Sequence, residues 1–272
     1  MTLWEKDFET ISLEKNESWV TVWLNRPDVK NALSENMTVE LIKALSFIAN
    51  NKMIRGVALR GVNGCFCAGA DLKEFERNFI SNKATREQII KMSLGVAELF
   101  KRVYTMPQIV VALVEGPAFA GGLGLVCCSD FSLGTRNTKF SLSETKIGLT
   151  PVQIAPYIIE RVGKRNAKNL MLSGSPFTGI EALNYGIIDQ LAENEPDLEK
   201  QFSILKKTLS ACAPEATAIT KEILISHGQV KSAEMIPFLA NKFADCMTGS
   251  EAKEGLQAFS EKRSPKWVDL IK

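Results

Sequence analysis

A glycine-rich break between two apolar runs constrains this chain most. Ile109–Val114 reads Ile-Val-Val-Ala-Leu-Val, a β-rich run without a polar residue, which predicts a buried strand. Residues 116–124 then read Gly-Pro-Ala-Phe-Ala-Gly-Gly-Leu-Gly, and Leu123–Cys128 is apolar again, so 122–128 is expected as a short buried helix. A strand that passes through such a turn into a helix leaves the first helical N–H groups without partners. The helix dipole adds partial positive charge at the same place. An anion that exists only during a reaction suits that position, for example the oxygen of a thioester enolate. Twenty residues beyond Gly124, the stretch Phe140-Ser141-Leu142-Ser143-Glu144 supplies a carboxylate, and Glu144 is the candidate acid/base. Taken alone, the glycines fit a ligand-free tight turn equally well.

A second segment has the same character. Gly64-Cys65-Phe66-Cys67-Ala68-Gly69-Ala70-Asp71-Leu72-Lys73 follows a strand-like run at Val57–Arg60. Small residues at 68–70 let a ligand approach the backbone, and Asp71 stands where a helix cap is favoured. Two such turns can each offer one N–H to a single oxygen, and losing one donor of that kind typically costs about 10²–10³ in rate.

With Leu24-Asn25-Arg26-Pro27-Asp28-Val29-Lys30-Asn31-Ala32-Leu33 before these segments, Asp130 between the second turn and Glu144, and Glu254-Gly255-Leu256-Gln257-Ala258-Phe259-Ser260-Glu261-Lys262-Arg263 near the end, the chain resembles the crotonase (enoyl-CoA hydratase/isomerase) superfamily nearly end to end. No single motif decides this; their order and spacing do. The resemblance implies an α/β fold of the crotonase type, a spiral of ββα turns with a C-terminal helical region. It implies an enzyme that stabilises a thioester enolate through the N–H groups of Ala70 and Gly121. It also implies contacts to CoA from Ala68, Asp71 and Leu72, phosphate partners at Lys30 and Lys73, and completion of the CoA pocket by Phe259 and Lys262. The family usually forms trimers or dimers of trimers, so a homotrimer or a dimer of trimers is expected. No cofactor is expected, because the CoA thioester is itself the substrate.

In typical hydratases of this family a first glutamate stands three residues after the second oxyanion-hole glycine and a second some twenty residues later. The later position is Glu144. The earlier one is Gly124, on the helix one turn past Gly121 and facing the same way. The surroundings resemble the bacterial methylglutaconyl-CoA hydratases and the HMG-thioester dehydratases of polyketide β-branching. Both groups handle 3-methylglutaconyl thioesters, in opposite directions, and both resemble this chain in having glycine there. A substrate with its own carboxylate and a branched β-carbon gives a reason: a second glutamate would repel the one and crowd the other. Gly124 is then expected to leave space at the substrate, and Lys146 is a candidate cation for its carboxylate. The resemblance therefore implies a hydro-lyase for 3-methylglutaconyl-CoA that works with one glutamate. The alternatives are an enoyl-CoA isomerase, an HMG-acyl-carrier-protein dehydratase, and a non-catalytic binding protein on the same fold.

Composition agrees with a globular enzyme: 272 residues, 45% hydrophobic and 24% charged. Thirty-three basic against 31 acidic residues give a net charge of +2, which supports neither nucleic acid nor a membrane surface as partner. Met1–Asp7 has neither the pattern of a signal peptide nor that of a transit peptide, and the expected location is cytoplasmic. Six cysteines with a single histidine lack the spacing of a metal site, so they are expected as free thiols, and no metal is expected. A nucleophilic role for Cys65 or Cys67 lacks a nearby histidine base. The only histidine, His227, is remote in sequence from every motif. Glu115, just before the glycine-rich turn, is expected to be structural.

Hydrophobic spacing organises the rest. Ser18–Leu24 reads as a strand. Met37, Leu41, Ala44, Leu45 and Ile48 give a helix over 35–50 with Ser34 or Asn31 as its cap. Phe75–Ala84 is polar without a period and reads as a loop. Pro151–Val162 and Arg165–Ser173 read as helices parted by Gly163, and Ile187–Asp189 as a strand. A division is expected at 195/196, with an α/β core over 1–195 holding the site and a helical region over 196–272 serving oligomerisation and part of the CoA pocket. The stripe Met235, Phe238, Leu239, Phe243 and Met247 in that region suits either core or a subunit interface.

Overall fold

Uninterrupted apolar runs need cover on both faces, and the computed structural model, which describes residues 8–269, shows how that cover is provided. Met1–Asp7 lies outside the described residues. The main sheet has six strands in the order β1 (Ile11–Asn16), β2 (Trp19–Leu24), β3 (Gly56–Gly61), β4 (Ile109–Val114), β6 (Phe131–Thr135) and β9 (Gln190–Ala192). Only β1 and β2 pair antiparallel; the remaining pairs are parallel. Every residue of β3 and β4 is buried, as two-sided cover requires. A small second sheet joins β5 (Ala118–Phe119), β7 (Lys139–Ser141) and β8 (Phe177–Thr178).

Helices α1 (Glu35–Ala49), α3 (Arg86–Tyr104), α4 (Gly121–Cys128) and α5 (Ala155–Ser173) supply one wall of the core. Ser34 caps α1 by accepting the Met37 N–H at 3.1 Å, and the five spaced apolar residues of that helix are all buried. The glycine-rich turn leads into α4 as expected, and α5 is broken at Gly163, where φ is +73°. The other wall is α7 (Glu195–Ser210), whose Leu198, Phe202 and Leu205 pack with Trp19, Ala58, Val111, Leu113 and Leu133 of the main sheet. It begins at Glu195, so the expected 195/196 division falls within its first turn.

Two local expectations are corrected. Phe75–Ala84 is not simply a loop: α2 (Leu72–Phe75) runs into a π-helical turn at Glu76–Ser81. Asp71 starts it by accepting the Glu74 N–H at 3.2 Å, and exposure of most of its residues hides any apolar period. Ile187–Asp189 is not a strand either. Helix α6 (Gly179–Tyr185) ends in a left-handed cap at Gly186, and the Ile187 N–H returns to the Ala182 carbonyl at 2.8 Å, so pairing begins only at Gln190.

The last helices are α8 (Pro214–Ser226), α9 (Ser232–Thr248), α10 (Ser250–Ser260) and α11 (Lys266–Asp269). Lys221 ties α8 to the sheet. Its Nζ donates to Asp130 Oδ2 at 2.6 Å and to the Gln108 carbonyl at 2.8 Å, and the same Asp130 oxygen accepts the Val110 N–H at 2.7 Å. Burial pushes the Asp130 carboxyl up and the Lys221 ammonium down, each opposed by its partner's charge. Among the described residues no helix is long and apolar enough to cross a membrane. Removing one partner of a buried pair strands the other charge, so Lys221→Met should cost about 3–5 kcal/mol of unfolding free energy, and Lys221→Met/Asp130→Asn less. Denaturant titration of the two variants checks this.

Candidate active site

The two glycine-rich segments run side by side because their backbones are paired. Cys67 bridges Ala118 in parallel: its N–H donates to the Pro117 carbonyl at 3.0 Å, and its carbonyl accepts the Phe119 N–H at 2.9 Å. A Cβ at Gly122 would collide with the Cys67 carbonyl oxygen and lie 2.8 Å from Cys67 Cβ, so the start of α4 is pressed directly on the first segment. On the other side, Leu33 bridges Ala70. The Leu33 N–H reaches the Gly69 carbonyl at 2.8 Å and the Asp71 N–H reaches Leu33 at 3.0 Å, which leaves the Ala70 N–H outside that ladder.

Ala120 carries the second turn in a conformation costly for a residue with a side chain, with φ 47° and ψ −118°. Such a position costs about 1–3 kcal/mol and persists only where its surroundings hold it. Here the Ala120 N–H is held by the Ser141 carbonyl at 2.9 Å, and α4 begins with the Gly124 N–H on the Ala120 carbonyl at 3.0 Å. Among the described residues, neither the Ala70 nor the Gly121 N–H has an acceptor. Both N–H groups therefore stand free, on two turns in contact.

Glu144 opens the 3₁₀ turn Glu144–Ile147, three residues beyond the Ser141 carbonyl that holds Ala120. Its Oε2 is buried and has no hydrogen-bond partner among the described residues. Burial raises the carboxyl above the usual carboxylate range, its own backbone N–H opposing only part of that. A carboxylate that is partly desolvated and unpartnered is suited to exchanging protons.

Several other anticipated residues cluster with the first turn. The Ala68 N–H donates to the Lys30 carbonyl at 3.0 Å, which brings the Lys30 backbone alongside 68–73. Lys30, Leu72 and Lys73 are exposed there. Burial works against ionisation of Asp71, but the Glu74 N–H and Arg26, whose Nη2 lies at 2.9 Å, hold its carboxyl low. Phe259 lies at the C-terminal end of α10 and is 86% exposed, and Lys262, also exposed, follows just past that end. Lys146 is exposed, with its stem against Gly174. Glu115 pairs with the buried Arg60, which also meets Glu195 at 3.1 Å and Glu199. Cys67 is buried and its thiol is pushed up to about 12 by burial, which removes the thiolate a nucleophile needs.

The expectation of open space at Gly124 is corrected. A Cβ there would collide with Ile154 Cγ2 and lie 2.9 Å from Phe100 Cε1 and 3.0 Å from Ile154 Cβ. Glycine is required because two side chains already fill the place. Sequence reasoning missed Ile154 and Phe100, which helical spacing marks only as core. It also missed the role of Ser141, although that residue lies within the segment that carries Glu144.

The chain belongs to the enoyl-CoA hydratase/isomerase family, whose pattern it matches over residues 14–270. An enoyl-CoA hydratase/isomerase of Marinobacter aquaeolei shares 37% identity with a TM-score of 0.90, covering 96% of this chain and 99% of that one. Pseudomonas aeruginosa AtuE shares 35% identity with a TM-score of 0.91, over 96% and 100% of the two chains. The mouse mitochondrial methylglutaconyl-CoA hydratase is 27% identical over 93% of this chain and 81% of its own length. The protein is therefore an enzyme of the hydratase/isomerase class with the crotonase fold and an acyl-CoA substrate.

Two outcomes follow from this geometry. Gly122→Ala should force α4 away from Cys67 and lower kcat by about 10²–10³, the loss of one oxyanion donor, as read by steady-state hydration kinetics. A carboxyl whose folded pKa is raised stabilises the fold only at low pH, and loses that contribution as pH rises through the folded value. Glu144→Gln should therefore raise Tm at neutral pH, with the gain shrinking on acidification; calorimetry across pH reads both.

Proposed function

We propose that the enzyme adds water reversibly to the double bond of a β-branched enoyl-CoA, with 3-methylglutaconyl-CoA as preferred substrate, using Glu144 as its single acid/base. The observation that carries this reading is the buried, unpartnered Oε2 of Glu144, three residues past Ser141, whose carbonyl holds the Ala120 turn. The thioester carbonyl accepts the N–H groups of Ala70 and Gly121, which bind the enolate oxygen more strongly than the ground-state carbonyl. Glu144 takes a proton from water as the oxygen adds to the β-carbon, and returns it to the α-carbon. Nothing in that sequence calls for a cofactor.

The choice of acyl group has two supports. The relative named as a methylglutaconyl-CoA hydratase aligns along nearly the whole chain. Position 124 also offers no second carboxylate to repel a substrate carboxylate. Gly124 does not relieve crowding at the branched β-carbon, since the space beside it is filled by Ile154 and Phe100. The exposed Lys30 and Lys73 are the phosphate partners in this reading. In this reading Phe259 and Lys262, both exposed, meet a CoA held by a neighbouring subunit. The exposed Phe243 and Met247 of α9, a helix with no buried residue, offer an apolar face for that assembly.

A lone carboxylate also fits an isomerase that moves a proton between carbons, and this is the second reading. The discriminating experiment compares 3-methylglutaconyl-CoA, crotonyl-CoA and a β,γ-enoyl-CoA on wild type and Glu144→Gln. Hydration bleaches the conjugated absorbance, whereas isomerisation toward conjugation raises it. Expected are preference for the branched substrate and a loss of about 10²–10⁴ in kcat for Glu144→Gln. The acid limb of kcat/KM should lie above the ordinary carboxylate range, because ionised Glu144 is the working form and burial raises its pKa. Turnover only of the carrier-protein thioester would point to a dehydratase of that class, and CoA binding without turnover to a binding protein.

A further inference from the structure

We propose that Ile154 is the positioning residue that holds this site to one carboxylate. It does so by occupying, with Phe100, the volume into which any side chain at 124 would grow. The proposal rests on the reading of Glu144 as acid/base and adds the reason why no second one accompanies it.

Ile154 stands at the junction between the Glu144 turn and α5. It is 2% exposed, and its own N–H is fixed on the Pro151 carbonyl at 3.2 Å. Its Cγ2 and Cβ face the α-carbon of Gly124, and Phe100 on α3 closes the same place from the other side. Phe100 Cζ also lies 3.6 Å from where a Cβ of Gly121 would stand, so the plug reaches up to the donor turn itself. The neighbouring Gln153 donates to Ser93 Oγ of α3 at 2.9 Å, which fastens the α5 entry to the helix that carries Phe100. The plug is thus held from two elements and cannot move aside cheaply, because packed interiors resist added atoms.

The chemical consequence is that the wall beyond Gly121 is hydrocarbon. It holds neither a charge nor a second water-activating group, and both proton transfers fall to Glu144. A carboxylate placed at 124 would be buried against an aromatic ring and an isoleucine. Converting the site to two carboxylates therefore needs two changes together, one that adds the acid and one that removes the plug.

The experiment compares Gly124→Ala, Ile154→Ala and their double variant by thermal melting, and Gly124→Glu with Gly124→Glu/Ile154→Gly by melting and by kcat/KM against pH. Gly124→Ala should lower Tm by several degrees, and Ile154→Ala in that background should recover most of the loss. Gly124→Glu alone should lose stability and turnover. Gly124→Glu/Ile154→Gly should regain about 10²-fold in crotonyl-CoA turnover over Gly124→Glu. Its kcat/KM profile should show a second carboxylate ionisation that wild type lacks. Additive Tm effects of the two alanines overturn the proposal, as does a Gly124→Glu protein with wild-type Tm. A double variant that folds yet keeps a single ionisation overturns the chemical part. Glu144→Gln, assayed beside them, reports separately on the acid/base reading, since the melting comparison does not depend on it.

Discussion

The architecture depends on one contact, the parallel bridge between Cys67 and Ala118 with Gly122 pressed against Cys67. The two segments that form it leave neighbouring strands of the main sheet, β3 and β4, whose buried faces are secured by α7 on one side and by α1, α3, α4 and α5 on the other. A large core is thus committed to bringing two short backbone turns together. Backbone donors set in this way need no reorganisation when negative charge develops on an oxygen between them.

Glu144 is placed with the opposite economy. Most buried polar atoms in a folded protein have a partner, and Glu144 Oε2 does not. Under the proposed function, that same lack of a partner leaves the carboxylate free to accept a proton from water. Ala120 is a second local concession, a backbone conformation that alanine resists, kept by the Ser141 carbonyl. Both lie at the site, where departures from locally favourable structure concentrate.

Much of this was legible in the residues themselves. The apolar run at 109–114 read as a buried strand because nothing in it tolerates water, and the helical spacing from Met37 to Ile48 read directly as the buried face of α1. The glycine-rich turns and Glu144 were visible as places where small residues and a carboxylate interrupt apolar sequence. What was not legible depends on three-dimensional neighbours. Gly124 looked like an opening, and only the approach of Ile154, thirty residues later, shows it to be a filled position. The helix after Asp71 escaped notice because its exposed residues carry no period, and the strand at Ile187 was misplaced because a helix cap claims those N–H groups first.

One feature of β7 reaches further. The Ser141 carbonyl holds the turn that bears the free Gly121 N–H, and Glu144 follows three residues along the same chain, so one short stretch from β7 into the next turn sets both the N–H and the carboxyl. The free N–H and the carboxyl are therefore gauged by one ruler. Drift in β7 would carry both groups together and preserve the spacing between them, so the pair keeps its geometry while elements farther off vary.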